Sequence, residues 1–303
     1  MNVINSISQF HKLVGLPEPL HPLVSVVKVG DMRFTDNEVW GQFSFNFYCI
    51  SMKSNVTAKS KYGQQYYDYN KGVMTFIAPK QVQLLDKPHD EIISQEASEG
   101  YVLLFHPDFL YKHSLAATIK NYGFFSYTVN EALHLSEKEE KNIAAIFQKI
   151  DEEYHHIDRH TQDIILSQID TLLNYSNRFY ERQFITRKAV NHDVLTKMEH
   201  LLSDYFEHDE TLRNGLLTVE MIAGKLNLTP HYLSDMLRLH TGQSAQQHIH
   251  DKLIDKAKEY LSATNLSVAQ IAYQLGFEYP QSFNKFFKKK MNVSPLEFRQ
   301  TFN

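Results

Sequence analysis

Cys49 is the only cysteine among 303 residues, so no internal disulfide can form and the chain suits a reducing cytosol. It lies in an alternating apolar run, which predicts a small buried hydrophobe and not a nucleophile. No apolar run approaches the roughly 18 residues that span a bilayer, so no membrane partner is expected. The opening "MNVINSISQFHKLVGL" lacks a basic start followed by an apolar core, which predicts no secretory leader and a cytoplasmic location. There is no Gly-rich phosphate loop and no nucleophile elbow. The His-x-His pair of a catalytic metal barrel is missing too, and His89 and His106 stand alone. The expectation is therefore no catalytic residue, no metal and no cofactor. His155, His156 and His160, near Glu152, read as a solvated turn.

Excess charge is equally scarce, at −4 overall, but it is unevenly placed. From Leu216 to Asn303 there are 10 Lys and Arg against 7 Asp and Glu, leaving 21 against 28 for the rest. A basic tail on an acidic body suggests an anionic partner for the tail.

That tail repeats itself. "TVEMIAGKLNL" (218–228) lies over "SVAQIAYQLGF" (267–277) at a constant offset of 49. Thr218 matches Ser267, Ile222 and Ala223 match Ile271 and Ala272, and Asn227 faces Gly276. Each copy reads as a short helix opened by a Ser or Thr cap and closed by a residue that tolerates a left-handed backbone. Ser267 with Gln270 makes a capping box. The match resumes at an offset of 50, pairing Leu233, Met236 and Leu237 with Phe283, Phe286 and Phe287, and Ser244 with Ser294. Pro230 and Pro280 stand near the starts of the second helices, where a missing N–H costs little. Helix, tight turn and helix, twice, joined by a helical segment at about 243–262, is a doubled helix-turn-helix plan over about 218–241 and 267–290.

The two second helices each predict a buried and an outer face. Phe283, Phe286 and Phe287 form the buried one. Gln281, Asn284, Lys285 and Lys288, with Ser282 beside them, form the outer one. His231, Ser234, Asp235 and Arg238 hold the equivalent places in the first copy. Gln and Asn pair with adenine edges, Arg and Lys with guanine or phosphate, and Asp with the cytosine amino group. Lys289 and Lys290 would add phosphate contacts, which carry no sequence information.

At these residues the segment from about Asp193 to Asn303 resembles the DNA-binding domain of the arabinose-regulator (AraC/XylS) family of bacterial transcription factors. "SVAQIAYQLGFEYPQSFNKFFKKKMNVSPLEFR" is similar to the family signature down to its closing "SPLEFR". The resemblance implies seven helices, two of which enter successive major grooves of double-stranded DNA. It implies base reading by the outer-face residues above, a small-molecule effector, a homodimer and contact with RNA polymerase. Two positions depart from the family pattern. Asp235 stands where a basic residue is common, and Leu253, beside Lys252, stands where the linker helix often has Arg. Acidic Asp251 and Asp255 lie nearby, so the second copy is expected to carry most of the DNA affinity.

The front of the chain follows period two. "GQFSFNFYCI" puts Phe43, Phe45, Phe47 and Cys49 on one side, which predicts a half-buried strand. "QYYDY" alternates weakly, "NKG" at 70–72 reads as a turn, and "VMTFIAP" and "GYVLLFHP" read as strands. Family members commonly carry a cupin-like barrel here, and "LLFHPDFL" is the most family-like phrase. The expected class is α+β. A cupin-like sensor barrel is expected over 1–135, a helical dimerisation segment over 136–185, a linker over 186–192 and the DNA-binding domain over 193–303. The dimerisation segment rests on a capping box at Ser136 and Glu139. It also rests on two apolar stripes, Ile143, Ile146, Phe147 and Ile150, then Ile165, Ile169, Leu172, Leu173 and Phe179. The function expected is a sequence-specific transcription regulator. The alternatives are a small-molecule enzyme with a helical targeting tail, or an architectural DNA binder without sequence preference.

Overall fold

The computed structural model describes residues 2–33, 39–54, 72–84, 99–128, 131–207 and 210–301, in two units, Met1–Thr186 and Arg187–Asn303. The stretch "QYYDY", the first two residues of the "NKG" turn and His89 lie outside the described residues.

The first unit begins β1 (Asn2–Ile4), α1 (Ile7–Leu13), β2 (Val24–Lys28), β3 (Gln42–Phe45) and β4 (Tyr48–Ser54). It continues with β5 (Gly72–Ile77), β6 (Val82–Leu84), β7 (Gly100–Phe105), the single turn α2 (Leu115–Thr118) and β8 (Leu133–Leu135). Two long helices close it, α3 (Glu137–Tyr154) and α4 (Thr161–Thr186). Among the described residues the strands form two open sheets, ordered β1-β3-β6 and β2-β7-β4-β5-β8. β1 runs parallel to β3, and every pairing in the larger sheet is antiparallel.

The run "GQFSFNFYCI" is not one strand. It crosses from the small sheet to the large one at Asn46 and Phe47. The corner is held by Asn46 N–H donating to the Ile4 carbonyl (3.1 Å) and the Asn46 amide donating to Asn5 Oδ1 (2.8 Å). Period two survives the corner, because Phe43, Phe45, Phe47 and Cys49 all face one core between the sheets, with Phe10, Trp40, Val102 and Leu104. Phe10 meets Trp40 edge-on at 6.2 Å, and Phe45 stacks on Phe47 at 4.9 Å. Burial pushes the Cys49 thiol up to about 12, so it is inert, as the period-two reading required.

The opposite face of the large sheet carries Ile50, Met52, Met74, Phe76, Leu103 and Phe105, all buried. α3 packs against β2, β7 and β8, and α4 against α3 and β8. Every residue of the two apolar stripes is buried inside this one unit. The Ser136–Glu139 capping box is formed, and the same Glu139 carboxylate takes a two-pronged bond from Arg182 of α4 (3.1 and 2.6 Å). That pair is shielded, at 19% and 14% side-chain exposure, and Arg182 also donates to the His134 carbonyl (2.7 Å), tying α4 to β8. In the turn between the helices, His155 and His156 each donate from Nδ1 to their own helix carbonyls, Asp151 and Glu152 (2.8 Å each). No group of three or more His, Cys, Asp or Glu suited to a metal occurs among the described residues.

The second unit is all helical: α5 (Lys188–Glu207), α6 (Glu210–Asn214), α7 (Val219–Leu226), α8 (Pro230–Thr241), α9 (Ala245–Ala263), α10 (Val268–Gln274), α11 (Pro280–Met291) and α12 (Pro295–Gln300). Eight helical segments stand among the described residues where the resemblance implied seven, the short α6 being the addition. The polar stretch 186–192, read as a linker, is helical from Lys188 onward. Asn191 is buried there because its amide donates to His240 Nε2 (3.0 Å), which lets a polar side chain join the packing.

Candidate nucleic-acid interface

The two copies of the repeat share their main caps and turns, although Thr229 caps α8 by accepting from Tyr232 N–H (3.3 Å) whereas Tyr279 makes no such bond at the start of α11. Thr218 accepts from Met221 N–H (3.3 Å) and Ser267 from Gln270 N–H (3.2 Å), opening α7 and α10. Asn227 (φ 56°) and Gly276 (φ 88°) take the left-handed turn. Leu228 N–H then returns to the Ala223 carbonyl, and Phe277 N–H to the Ala272 carbonyl, both at 2.9 Å. Pro230 and Pro280 open α8 and α11, which have 12 residues each. Gly242 (φ 76°) and Asn292 (φ 61°) close them, and capping boxes at Ser244–Gln247 and Ser294–Glu297 start the next helices. The change of offset from 49 to 50 is one extra residue between Gly276 and Pro280.

Each of α8 and α11 then has one face in the core. Leu233, Met236, Leu237, Phe283 and Phe287 are buried. Phe286, expected with them, is only half-buried, because it lies at the edge against His250 (5.1 Å between ring centres) and Phe277 (5.8 Å). On the other face of α11, Gln281, Ser282, Asn284, Lys285, Lys288 and Lys289 are all exposed. Lys285, Lys288 and Lys289 form no ion pair among the described residues. Three lysines in the last turn also suit the negative end of the helix dipole.

The first copy is electrically different. His231 and Arg238 are exposed, while Ser234 and Asp235 are half-buried. Arg238 donates to Asp235 Oδ1 at 2.8 Å, so its charge is offset locally within α8. Lys290 is likewise engaged, 3.3 Å from Asp251 Oδ1 on α9. Lys252 does not replace the linker arginine that the family often has, since its ammonium donates to Ser203 Oγ (3.1 Å) and Leu253 is buried.

Contacts invisible to the repeat hold the second turn in place. Thr211 Oγ1 donates to the Gln274 carbonyl (2.6 Å), and Tyr205 OH donates to the Gly215 carbonyl (2.9 Å). Gly276 abuts Gly215, where a Cβ would come within 2.5 Å of the Gly215 oxygen. Arg299 of "SPLEFR" donates from Nε to the Leu261 carbonyl at the end of α9 (3.1 Å). In the first unit His106, which stands alone in the sequence, accepts at Nδ1 from Asp108 N–H (3.2 Å) at the end of β7.

Comparison with known proteins points to the same segment of the chain. The model of a helix-turn-helix domain family matches residues 222–301. The uncharacterised HTH-type transcriptional regulator YfiF of Bacillus subtilis (strain 168) is 28% identical over 139 residues, covering 46% of this chain and 41% of its own. The HTH-type transcriptional activator RhaS of Salmonella newport (strain SL254) is 27% identical over 140 residues, covering 46% and 45%. The chain therefore spans less than half the length of these relatives. Among solved structures, the C-terminal domain of the two-component response regulator yesN from Fusobacterium nucleatum is 32% identical. The match covers 33% of this chain and 96% of that one, with a TM-score of 0.30.

Proposed function

The C-terminal part of this chain is a helix-turn-helix domain of the AraC type, and from that premise we propose that the whole chain is a sequence-specific transcription regulator whose first unit senses a small molecule. The observation that carries the reading is the doubled cap, helix, turn and helix, with two polar faces presented outward. The relatives it matches are regulators by name, not enzymes.

In this reading α8 and α11 enter adjacent major grooves. Gln281, Ser282, Asn284 and Lys285 read bases. Lys288 and Lys289 hold phosphate. His231, Ser234, Asp235 and Arg238 supply the weaker contacts of the first copy. The first unit is a cupin-like sensor, a reading supported by two sheets that share one core. A homodimer and contact with RNA polymerase belong to the same reading. A dimer would have to use surface other than the apolar stripes of α3 and α4, which are already buried.

The inner face of the large sheet turns polar beyond Cys49, and this supports a ligand site there. Ser51 Oγ lies 2.6 Å from Thr75 Oγ1 across the β4–β5 pair, and Lys53 follows on the same face. Lys53 is half-buried, makes no ion pair among the described residues, and has its pKa lowered by desolvation. A poorly solvated ammonium with no counter-charge among the described residues favours an anionic effector. Lys53→Met is expected to stabilise the first unit by about 1 kcal/mol at neutral pH and to abolish any anion response. The sign follows from the direction of the shift. The unfolded chain holds the lysine proton more tightly, so the parent gains stability as pH climbs toward 10.5 and the variant loses that slope. Thermal melts at several pH values read it, and a variant less stable than the parent would contradict it.

Selection of fragmented genomic DNA on the full chain near physiological salt tests the main reading. One enriched motif spanning two adjacent major grooves is expected. Retention without a motif, collapsing as salt rises, would instead favour an architectural binder. No retention would place the function in the first unit.

A further inference from the structure

The two copies of the repeat are joined not only through apolar packing but through one carboxylate. Asp251 lies on α9, the helix between the copies. Its Oδ2 accepts from Gln243 Nε2 (3.0 Å), in the turn that follows α8. Its Oδ1 pairs with Lys290 Nζ (3.3 Å), in the last turn of α11. Thr241, the last residue of α8, lies 2.9 Å from His248 Nε2 of α9. On the other side His250 rests edge-on against Phe286 of α11 and accepts from Gln246 Nε2 (2.8 Å). Residues 248, 250 and 251 of one turn of α9 thus contact the last residue of α8 and the turn after it on one side, and Phe286 and Lys290 of α11 on the other.

We propose that Asp251 is a positioning residue that fixes the spacing and relative orientation of α8 and α11. A carboxylate suits the task because it has two acceptor oxygens on a short stem, one for each side, and α9 holds that stem rigidly. The Lys290–Asp251 pair, at 34% and 48% side-chain exposure, favours one arrangement of the helix ends by about fivefold at most, and the Gln243 bond to the same carboxylate adds to that bias. Two helices that must enter adjacent grooves together tolerate little drift between them. The arrangement also withdraws Lys290 from phosphate, so one cation of the four at positions 285 and 288–290 serves the brace.

The DNA part of this inference rests on the regulator reading, so the experiment has one arm without DNA. Spin labels at Leu239→Cys and Lys289→Cys in the full chain report the separation of the two helices. Cys49 is buried, with its thiol pushed up to about 12, and stays unlabelled. A single narrow distance distribution is expected for Asp251 itself, a broad or displaced one for Asp251→Ala, and an intermediate one for Asp251→Asn, which retains the Gln243 bond. Identical distributions in all three would overturn the brace.

The second arm compares the selected DNA site with the same site lengthened by one base pair between its two segments. The parent is expected to lose about tenfold or more in affinity for the lengthened site, and Asp251→Ala at most about threefold. If Asp251→Ala instead binds both sites more tightly, with unchanged discrimination and a salt slope steeper by about 0.9, then Asp251 merely screens Lys290 and the positioning role is wrong. If the parent selects no two-groove site, the regulator reading fails while the spin labels still decide the brace.

Discussion

Replacing Gly276 by alanine is expected to cost the second unit about 3 kcal/mol and to abolish DNA binding through α11. Two effects add. At φ 88° a side chain strains the backbone. The new Cβ would also stand 2.5 Å from the Gly215 oxygen and 2.6 Å from its carbonyl carbon, both backbone atoms that cannot swing aside. Gly215 is itself pinned, because its carbonyl accepts from Tyr205 OH and its N–H donates to the Thr211 carbonyl (3.0 Å). Thr211 in turn holds Gln274, so relief would require moving the whole turn.

Two other glycines separate the contributions. Gly242 has φ 76° but open space around a Cβ, so Gly242→Ala isolates the backbone strain at about 1–2 kcal/mol. Gly224 lies in α7 with nothing within 4 Å of a Cβ, and Gly224→Ala is expected to stabilise by about 0.5–1 kcal/mol. Denaturant melts of the full chain, with hydrogen exchange over 187–301, give the ranking. If Gly276→Ala is no worse than Gly242→Ala, the close approach to Gly215 has no energetic weight.

Converting Lys285, Lys288 and Lys289 together to Gln is expected to lower DNA affinity about a hundredfold near 0.15 M salt. Each phosphate contact adds about 0.9 to the slope of log affinity against log salt, so the slope should become shallower by about 2.7. Arg238→Gln should cost less than about threefold, because Asp235 already pairs with that guanidinium. Lys290→Gln should also cost little through phosphate, since Asp251 holds its ammonium. Titrations of the selected site over a range of salt separate these outcomes. An Arg238→Gln variant as impaired as the triple variant would show that the first copy carries equal electrostatic weight.

The second unit was legible because its instructions are local. A Ser or Thr cap, a residue that accepts positive φ and a Pro at the first helical position each act within four or five residues. All fall where the repeat placed them, including the single extra residue before Pro280. The amphipathic period then sorted outer from inner residues except at the margin, where Phe286, expected inside, and Ser234 and Asp235, expected outside, are all half-buried. Apolar stripes were equally legible in α3 and α4, but period alone cannot say what covers a stripe. Here the unit's own large sheet does.

By itself, the sequence determined the doubled helix-turn-helix, its caps and turns, and which side chains of α8 and α11 point outward, because backbone propensity and helical period are short-range. Tertiary structure alone decided the rest. It split "GQFSFNFYCI" between two sheets, since alternation specifies faces and not pairing partners. It drew the stretch from Lys188 into a helix through Asn191 and His240, residues 49 apart. It also chose which charges are spent. Arg238 is held by Asp235 and Lys290 by Asp251, whereas Lys285, Lys288 and Lys289 form no ion pair among the described residues. Net charge is a property of the sequence, but the charge available to a partner depends on which opposite charges the fold brings within a few ångströms.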